Sequence, residues 1–344
     1  MHASVLVGKN KLLSVGRNPM LVLVRYRAST MRPIRDRSPL AASLLSFSTS
    51  ASTSLSWVTT EYPPEDNGRV ALVRMNRKPA NALSLELCAE LSETIQTIRS
   101  QNHHPKQTTA VVLASSLPGI FSAGLDIGQE LYQPDADRLP KFWWQVQQLF
   151  LDLYGCSQLT TVAALGGHAP AAGCMLALSC DYRIILDSSS TKTPPGIGLN
   201  ESHLGIVAPP WMARQFIDVL GHRRGELALL QGTIFPPNAA LERGLVDQLL
   251  TLDDDKEPFA MLEETALAKA REFARIPPQA RAAVKDLTRS PLVEQLVEDR
   301  ERDIDDFCTF VTSETVQRNI GAYLEALRAK TNAKGKTKTK SGTV

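Results

Sequence analysis

A glutamate set among apolar neighbours is the residue of this chain best suited to proton chemistry. Glu201 lies in the run Gly196-Ile197-Gly198-Leu199-Asn200-Glu201-Ser202-His203-Leu204-Gly205-Ile206. Leu199, Leu204 and Ile206 surround it in sequence. Apolar surroundings destabilise the charged form of a carboxylate and raise its pKa toward the range of a working general base. Taken alone, a single glutamate is more often exposed or paired with an arginine. His203 reads as an ordinary surface or core histidine. Asn200 is a candidate for orienting Glu201.

Two small-residue segments offer backbone donors. The first is Phe121-Ser122-Ala123-Gly124-Leu125-Asp126-Ile127. A glycine between small residues lets the chain turn tightly and leaves N–H groups outside any ladder, which is what an oxyanion hole needs. The plain alternative is a strand-to-helix turn with Asp126 near the helix start. The second is Gly166-Gly167-His168-Ala169-Pro170-Ala171-Ala172-Gly173-Cys174. A loop of this kind opening a helix presents free N–H groups and the positive end of a dipole. A close-packed helix start explains it equally well. No Gly-Lys-Ser/Thr closes it, so it is not a nucleotide P-loop.

Short apolar strands alternating with helices must position these groups. Strands are expected over Val70–Met75, Thr109–Ser115, Thr160–Leu165 and Tyr182–Leu186. A helix over Ser84–Ser100, capped by Ser84, puts Leu87, Leu91, Ile95 and Ile98 on one face. Lys141–Leu153 and a short segment Gly173–Cys180 are further helices. After about residue 207 helices dominate: Pro210–Leu220, Arg223–Leu230, Pro237–Arg243, Pro258–Arg275 and Glu294–Thr312. An α/β part is followed by a mainly helical one.

The 344 residues have a net charge of +2, unevenly spread. Residues 1–56 hold eight basic residues and one acid, leaving 30 basic and 35 acidic residues in 57–344. That body is not an evident polyanion binder, so no nucleic-acid partner is expected. The Arg/Ser-rich residues 1–56 read as a targeting presequence, mitochondrial or, on the same composition, plastidic. The lysine-rich segment 330–344 reads as a disordered tail, with non-specific RNA or membrane contact as the weaker reading. No apolar run is long enough to span a bilayer. Five scattered cysteines form no C-x-x-C pair, which argues against disulfides and zinc; Cys174 and Cys180 read as small buried hydrophobes.

The three segments, in this order, resemble the crotonase (enoyl-CoA hydratase/isomerase) superfamily over roughly residues 68–330, and within it the mitochondrial Δ3,Δ2-enoyl-CoA isomerase branch. The resemblance implies an α/β (α+β) fold: a spiral of ββα repeats over 57–257 and a helical trimerisation region over 258–329. It implies an enzyme, an intramolecular isomerase of β-oxidation in the mitochondrial matrix, working as a homotrimer. Glu201 would be the catalytic base, with Leu125 and Ala172 supplying the oxyanion-hole N–H groups. Ala123, Gly124, Leu125, Asp126, Ile127 and Ala172 would line the acyl-CoA site. The loop Lys78-Pro79-Ala80-Asn81-Ala82 would run beside the CoA, with Ala80 against it and Lys78 either meeting a phosphate or simply solvated. Ala172 stands where relatives often carry glycine. Hydratases of the superfamily use a second glutamate at the position held here by Met175, and methionine can neither hold water nor deliver a proton. No metal or cofactor is implied, coenzyme A being part of the substrate. A hydratase, a dienoyl-CoA isomerase, a thioester hydrolase and an RNA-binding relative are the competing readings.

Overall fold

The computed structural model describes residues 56–100, 108–187, 195–251 and 257–340, with side chains to residue 329. The presequence reading for 1–56 therefore lies outside the described residues except for Ser56.

Six strands form the main sheet: β1 (Val58–Glu61), β2 (Val70–Met75), β3 (Ala110–Ser115), β5 (Thr160–Leu165), β7 (Tyr182–Asp187) and β9 (Gln248–Thr251), neighbours in that order. β1 is antiparallel to β2 and all later pairs are parallel. Parallel strands buried on both faces favour near-continuous apolar runs, and Val70–Val73 and Ala110–Ala114 supply them, with Arg74 and Ser115 the polar residues near the strand ends. Ala71, Val73, Val111, Leu113, Ala163 and Ile185 face the main core. Their alternates Val70, Leu72, Ala110, Val112, Val162 and Ile184 face a second cluster with Leu262, Ala266 and Ala270.

A second, three-stranded parallel sheet joins β4 (Gly119–Ile120), β6 (Gly167–Pro170) and β8 (Ile197–Gly198). Three successive turns of the chain, beginning at β3, β5 and β7, each lay one strand in the large sheet, one in the small sheet, and then a helical segment. This is the expected ββα spiral. Helix α1 (Leu85–Ser100) follows β2, and α2 (Arg138–Tyr154) follows β4 after a π-helical turn at Ile127–Leu131. Helix α3 (Ala172–Ser179) follows β6. A 3₁₀ turn (Glu201–Leu204) and α4 (Pro210–Leu220) follow β8.

The remainder is helical: α5 (His222–Gln231), α6 (Pro237–Glu242), α7 (Pro258–Ala274), α8 (Pro278–Thr312) and α9 (Glu314–Lys340). Three boundaries differ from the sequence reading by more than two residues. Helix α2 begins at Arg138 rather than Lys141, because Asp135 Oδ1 accepts from the Arg138 N–H and draws the start earlier. Helix α8 begins at Pro278 rather than Glu294 and runs through Pro291. The backbone of α9 continues to Lys340, inside the segment expected to be a disordered tail. Among the described residues no helix is long and apolar enough to cross a membrane.

Candidate functional site

The first small-residue segment is held by a frame of hydrogen bonds that uses nearly all of its amides. Phe121 and Ser122 donate to the His168 carbonyl, and Ala123 donates to Ala80 O at 2.9 Å. Gly124 N–H donates to Ser122 Oγ, whose hydroxyl donates to Asn81 O. Leu83 grips both sides of the next residue, its N–H donating to Gly124 O and its carbonyl accepting from Asp126 N–H. Among the described residues no acceptor takes the Leu125 N–H. The chain reaches this arrangement because Gly124 has φ +86°, a conformation disfavoured for residues with a Cβ. A Cβ there would also lie 3.0 Å from Ala171 Cβ and 3.2 Å from Ala172 N.

That close approach joins the first segment to the second. Ala172 opens α3, so its N–H is one of those a helix start leaves without an internal partner. Ala171, just before it, has φ 52° and ψ −127° and is pinned by its own N–H donating to Gly198 O. Holding alanine in such a conformation costs roughly 1–3 kcal/mol. Gly173 lies so close beneath Ser122 that a Cβ would come within 2.5 Å of its carbonyl oxygen. The two free amides, Leu125 and Ala172, are therefore presented from neighbouring loops.

Glu201 reaches the same place through the small sheet. Pro170 of β6 pairs with Gly198 of β8, three residues before Glu201. The glutamate begins the 3₁₀ turn, which Gly205 closes in the left-handed conformation. Its side chain is buried, and Oε2 finds no hydrogen-bond partner among the described residues. Burial pushes its pKa up to about 7. The Cys174 thiol, one turn into α3, is raised by burial and then by the charge of Glu201, which puts the carboxylate beside this helix. Met175, in the same helix, is fully buried.

Of the candidates read from the sequence, Ala80, Ala123, Gly124, Leu125, Asp126, Ile127 and Ala172 share this region, and β8 brings Glu201 to it. Lys78 is exposed at the mouth of the 78–82 loop. The Asp126 carboxylate is occupied by the protein itself: it pairs with Arg77 at 2.8 Å and accepts from Gln129 N–H. Arg77 and Ser122 were not singled out by sequence, and Asn81 was named only as part of its loop. Asn81, buried with φ 49°, takes the Arg77 N–H on Oδ1 and donates to Ser115 Oγ and Phe121 O. An asparagine in a turn is a recognisable signal for such a role. The arginine carried none. Among the described residues no group of three His, Cys, Asp or Glu is arranged to hold a metal.

The sequence matches the family Enoyl-CoA hydratase/isomerase over residues 65–334. It is 37% identical over 266 residues to the mitochondrial enoyl-CoA delta isomerase 1 of Rattus norvegicus, covering 77% of this chain and 86% of that protein. The Homo sapiens enzyme of the same name is 36% identical over 265 residues, covering 77% and 82%. The crystal structure of human mitochondrial delta3-delta2-enoyl-CoA isomerase superposes with a TM-score of 0.70 at 35% identity, covering 80% of this chain and 99% of that one. An enoyl-CoA hydratase from Bacillus halodurans, 20% identical, shares the fold with a TM-score of 0.64 and covers 78% and 100%. A ββα spiral, two free amides on closely packed segments and a buried glutamate thus sit in a chain that belongs to the enoyl-CoA hydratase/isomerase family.

Proposed function

We propose that this chain is a Δ3,Δ2-enoyl-CoA isomerase, converting 3-cis- or 3-trans-enoyl-CoA to the 2-trans isomer in the β-oxidation of unsaturated fatty acids. The observation that carries the reading is a single buried carboxylate beside two free amides, with a thioether, Met175, where the family's hydratases hold a second glutamate. Hydration needs one group to hold water and another to deliver a proton. A double-bond shift needs one base.

The thioester oxygen accepts from the N–H groups of Leu125 and Ala172. Glu201 takes the C2 proton, and the electron pair released moves into the C1–C2 bond as negative charge gathers on the oxygen. Each donor lowers that step by about 2.7–4 kcal/mol, by analogy with other oxyanion holes. Glu201 then returns the proton to C4, leaving the double bond between C2 and C3. No metal or redox partner is needed for these steps, and coenzyme A enters only as part of the substrate. The curated relatives named above support a mitochondrial setting, here assigned to the matrix, and the family resemblance supports a homotrimer.

Ultraviolet absorbance tests the assignment: 3-enoyl-CoA should gain the absorbance of the conjugated thioester rapidly, and 2-trans-enoyl-CoA should lose it slowly. Glu201→Gln should fold normally and lose roughly 10²–10⁴-fold in kcat. Rapid loss from the 2-enoyl substrate would make the chain a hydratase. Substantial turnover of the glutamine variant would remove Glu201 from the mechanism.

A further inference from the structure

Arg77 follows β2 by two residues, and its side chain is only 12% exposed. Nη1 donates to Ala82 O at 2.8 Å. Nη2 donates to Gln129 Oε1 and pairs with Asp126 Oδ2, each at 2.8 Å. The guanidinium lies over the Trp57 ring, 5.2 Å from its centroid. These partners bracket one backbone frame. Ala82 precedes Leu83, which holds Gly124 O and Asp126 N–H, and Asp126 follows Leu125 directly. Asp126 Oδ1 also accepts from Gln129 N–H at the start of the π-helical turn. A planar, forked cation is the side chain able to hold a carbonyl, an amide and a carboxylate at fixed angles.

We propose that Arg77 is a positioning residue for the Leu125 N–H, fixing the direction of one oxyanion donor; the assignment deepens the isomerase reading above and rests on it. Arg77 does not touch the reacting atoms. It sits beside the loop expected to follow the CoA, but its Nη atoms are already committed to protein acceptors, which separates it from the exposed Lys78. A donor turned away from a developing oxyanion weakens transition-state binding more than ground-state binding.

The test compares full-length wild type with Arg77→Ala, Arg77→Lys, Asp126→Asn and the double variant Arg77→Ala/Asp126→Asn. Two readouts are used: steady-state kinetics on 3-enoyl-CoA, and the ultraviolet absorbance of the enolate of bound 3-ketoacyl-CoA at fixed pH. Arg77→Ala should lower kcat by roughly 10-fold with KM within about 2-fold, and should lower the enolate fraction of the bound ketoacyl thioester. Arg77→Lys, which keeps the charge but not the fork, should recover only part of both. The double variant should fall little below the worse single one, because both residues act through one frame. A raised KM with unchanged kcat and an unchanged enolate fraction would overturn the proposal and make Arg77 a substrate ligand. No change in either readout would overturn it too. Should Arg77→Ala fail to fold, the Arg77→Lys and Asp126→Asn results decide. A wild type that enolises the ketoacyl thioester without turning over 3-enoyl-CoA would refute the isomerase reading, and the enolate absorbance would still decide the role of Arg77.

Discussion

At the scale of single residues, the site is a set of local costs kept for chemistry. Glu201 is the largest. Its pKa in the folded protein is about 7 against an ordinary value of 4.5, so between those pH values the folded protein binds a proton that the unfolded chain has released. Stability therefore falls as pH rises from about 4.5 to about 7 and levels off above, by on the order of 3 kcal/mol. Glu201→Gln should flatten that slope in urea titrations taken at several pH values, and above pH 7 it should be the more stable protein. Turnover should move the other way: with the Glu201 carboxylate as the proposed base, kcat should rise with pH through about 7. Ala171 is a second cost. Ala171→Gly should relieve its positive-φ strain and, after the extra flexibility of the unfolded chain is subtracted, raise stability by about 1 kcal/mol. A thermal melt checks it, with kcat expected to hold. The apolar neighbours of Glu201 and the small residues around Gly124 marked both segments as candidates in the sequence, and the family resemblance assigned the base to Glu201 and a donor to Leu125. Arg77 was not legible, since an arginine followed by a lysine reads as ordinary surface charge until three separate partners are seen around it.

At the scale of elements, strands and amphipathic helices were legible wherever burial left a periodic mark. Val70–Met75, Thr160–Leu165 and Pro210–Leu220 fall where the pattern put them. The small sheet left no mark, because strands of two to four residues have too little period to read, and it is this sheet that sets the strand before Glu201 beside the strand before Ala172. The first half of α8 was missed for a different reason. Its first two buried positions are Arg281 and Lys285, and aliphatic burial begins only at Leu292. Lys285 Nζ donates to Leu159 O and pairs with Asp181, and Arg289 pairs with the same carboxylate at 2.8 Å. Burial lowers the Lys285 pKa, and the negative charge of Asp181 opposes that shift. Asp181 also accepts from Thr161 N–H of β5, tying the helix to the main sheet. Removing the shared carboxylate leaves two cations without it in a mostly buried place, which is costlier than removing one cation of the pair. Asp181→Ala should therefore destabilise by about 3 kcal/mol, and Lys285→Met by clearly less. The comparison is read from urea midpoints with unchanged m values.

At the scale of the whole molecule, charge separates the ends of the chain from its catalytic body. Residues 1–56 and 330–344 carry 13 of the 38 basic residues and only one of the 36 acidic ones, so 57–329 holds 25 basic and 35 acidic residues. Every residue assigned to the site, from Arg77 to Glu201, lies within that acidic stretch. Contacts from α9 to the rest of the body include Gln317, which donates to Leu131 O and accepts from Gln133 N–H, Asn319 against Gly205, Gly321 beside Tyr132, and the buried Val316 and Ile320, all before residue 330. Fold and catalysis should therefore be separable from the basic ends. A protein of residues 57–329 should keep the kcat and KM of the full chain within about 2-fold. Its net charge of −10 should keep it off a polyanion column at low salt. Any retention of the full chain should weaken steeply with salt, as counterion release requires of phosphate contacts made through lysines and arginines. Retention of 57–329 at moderate salt would instead locate a nucleic-acid surface on the body, and a loss of kcat on trimming would show that the basic ends support the site.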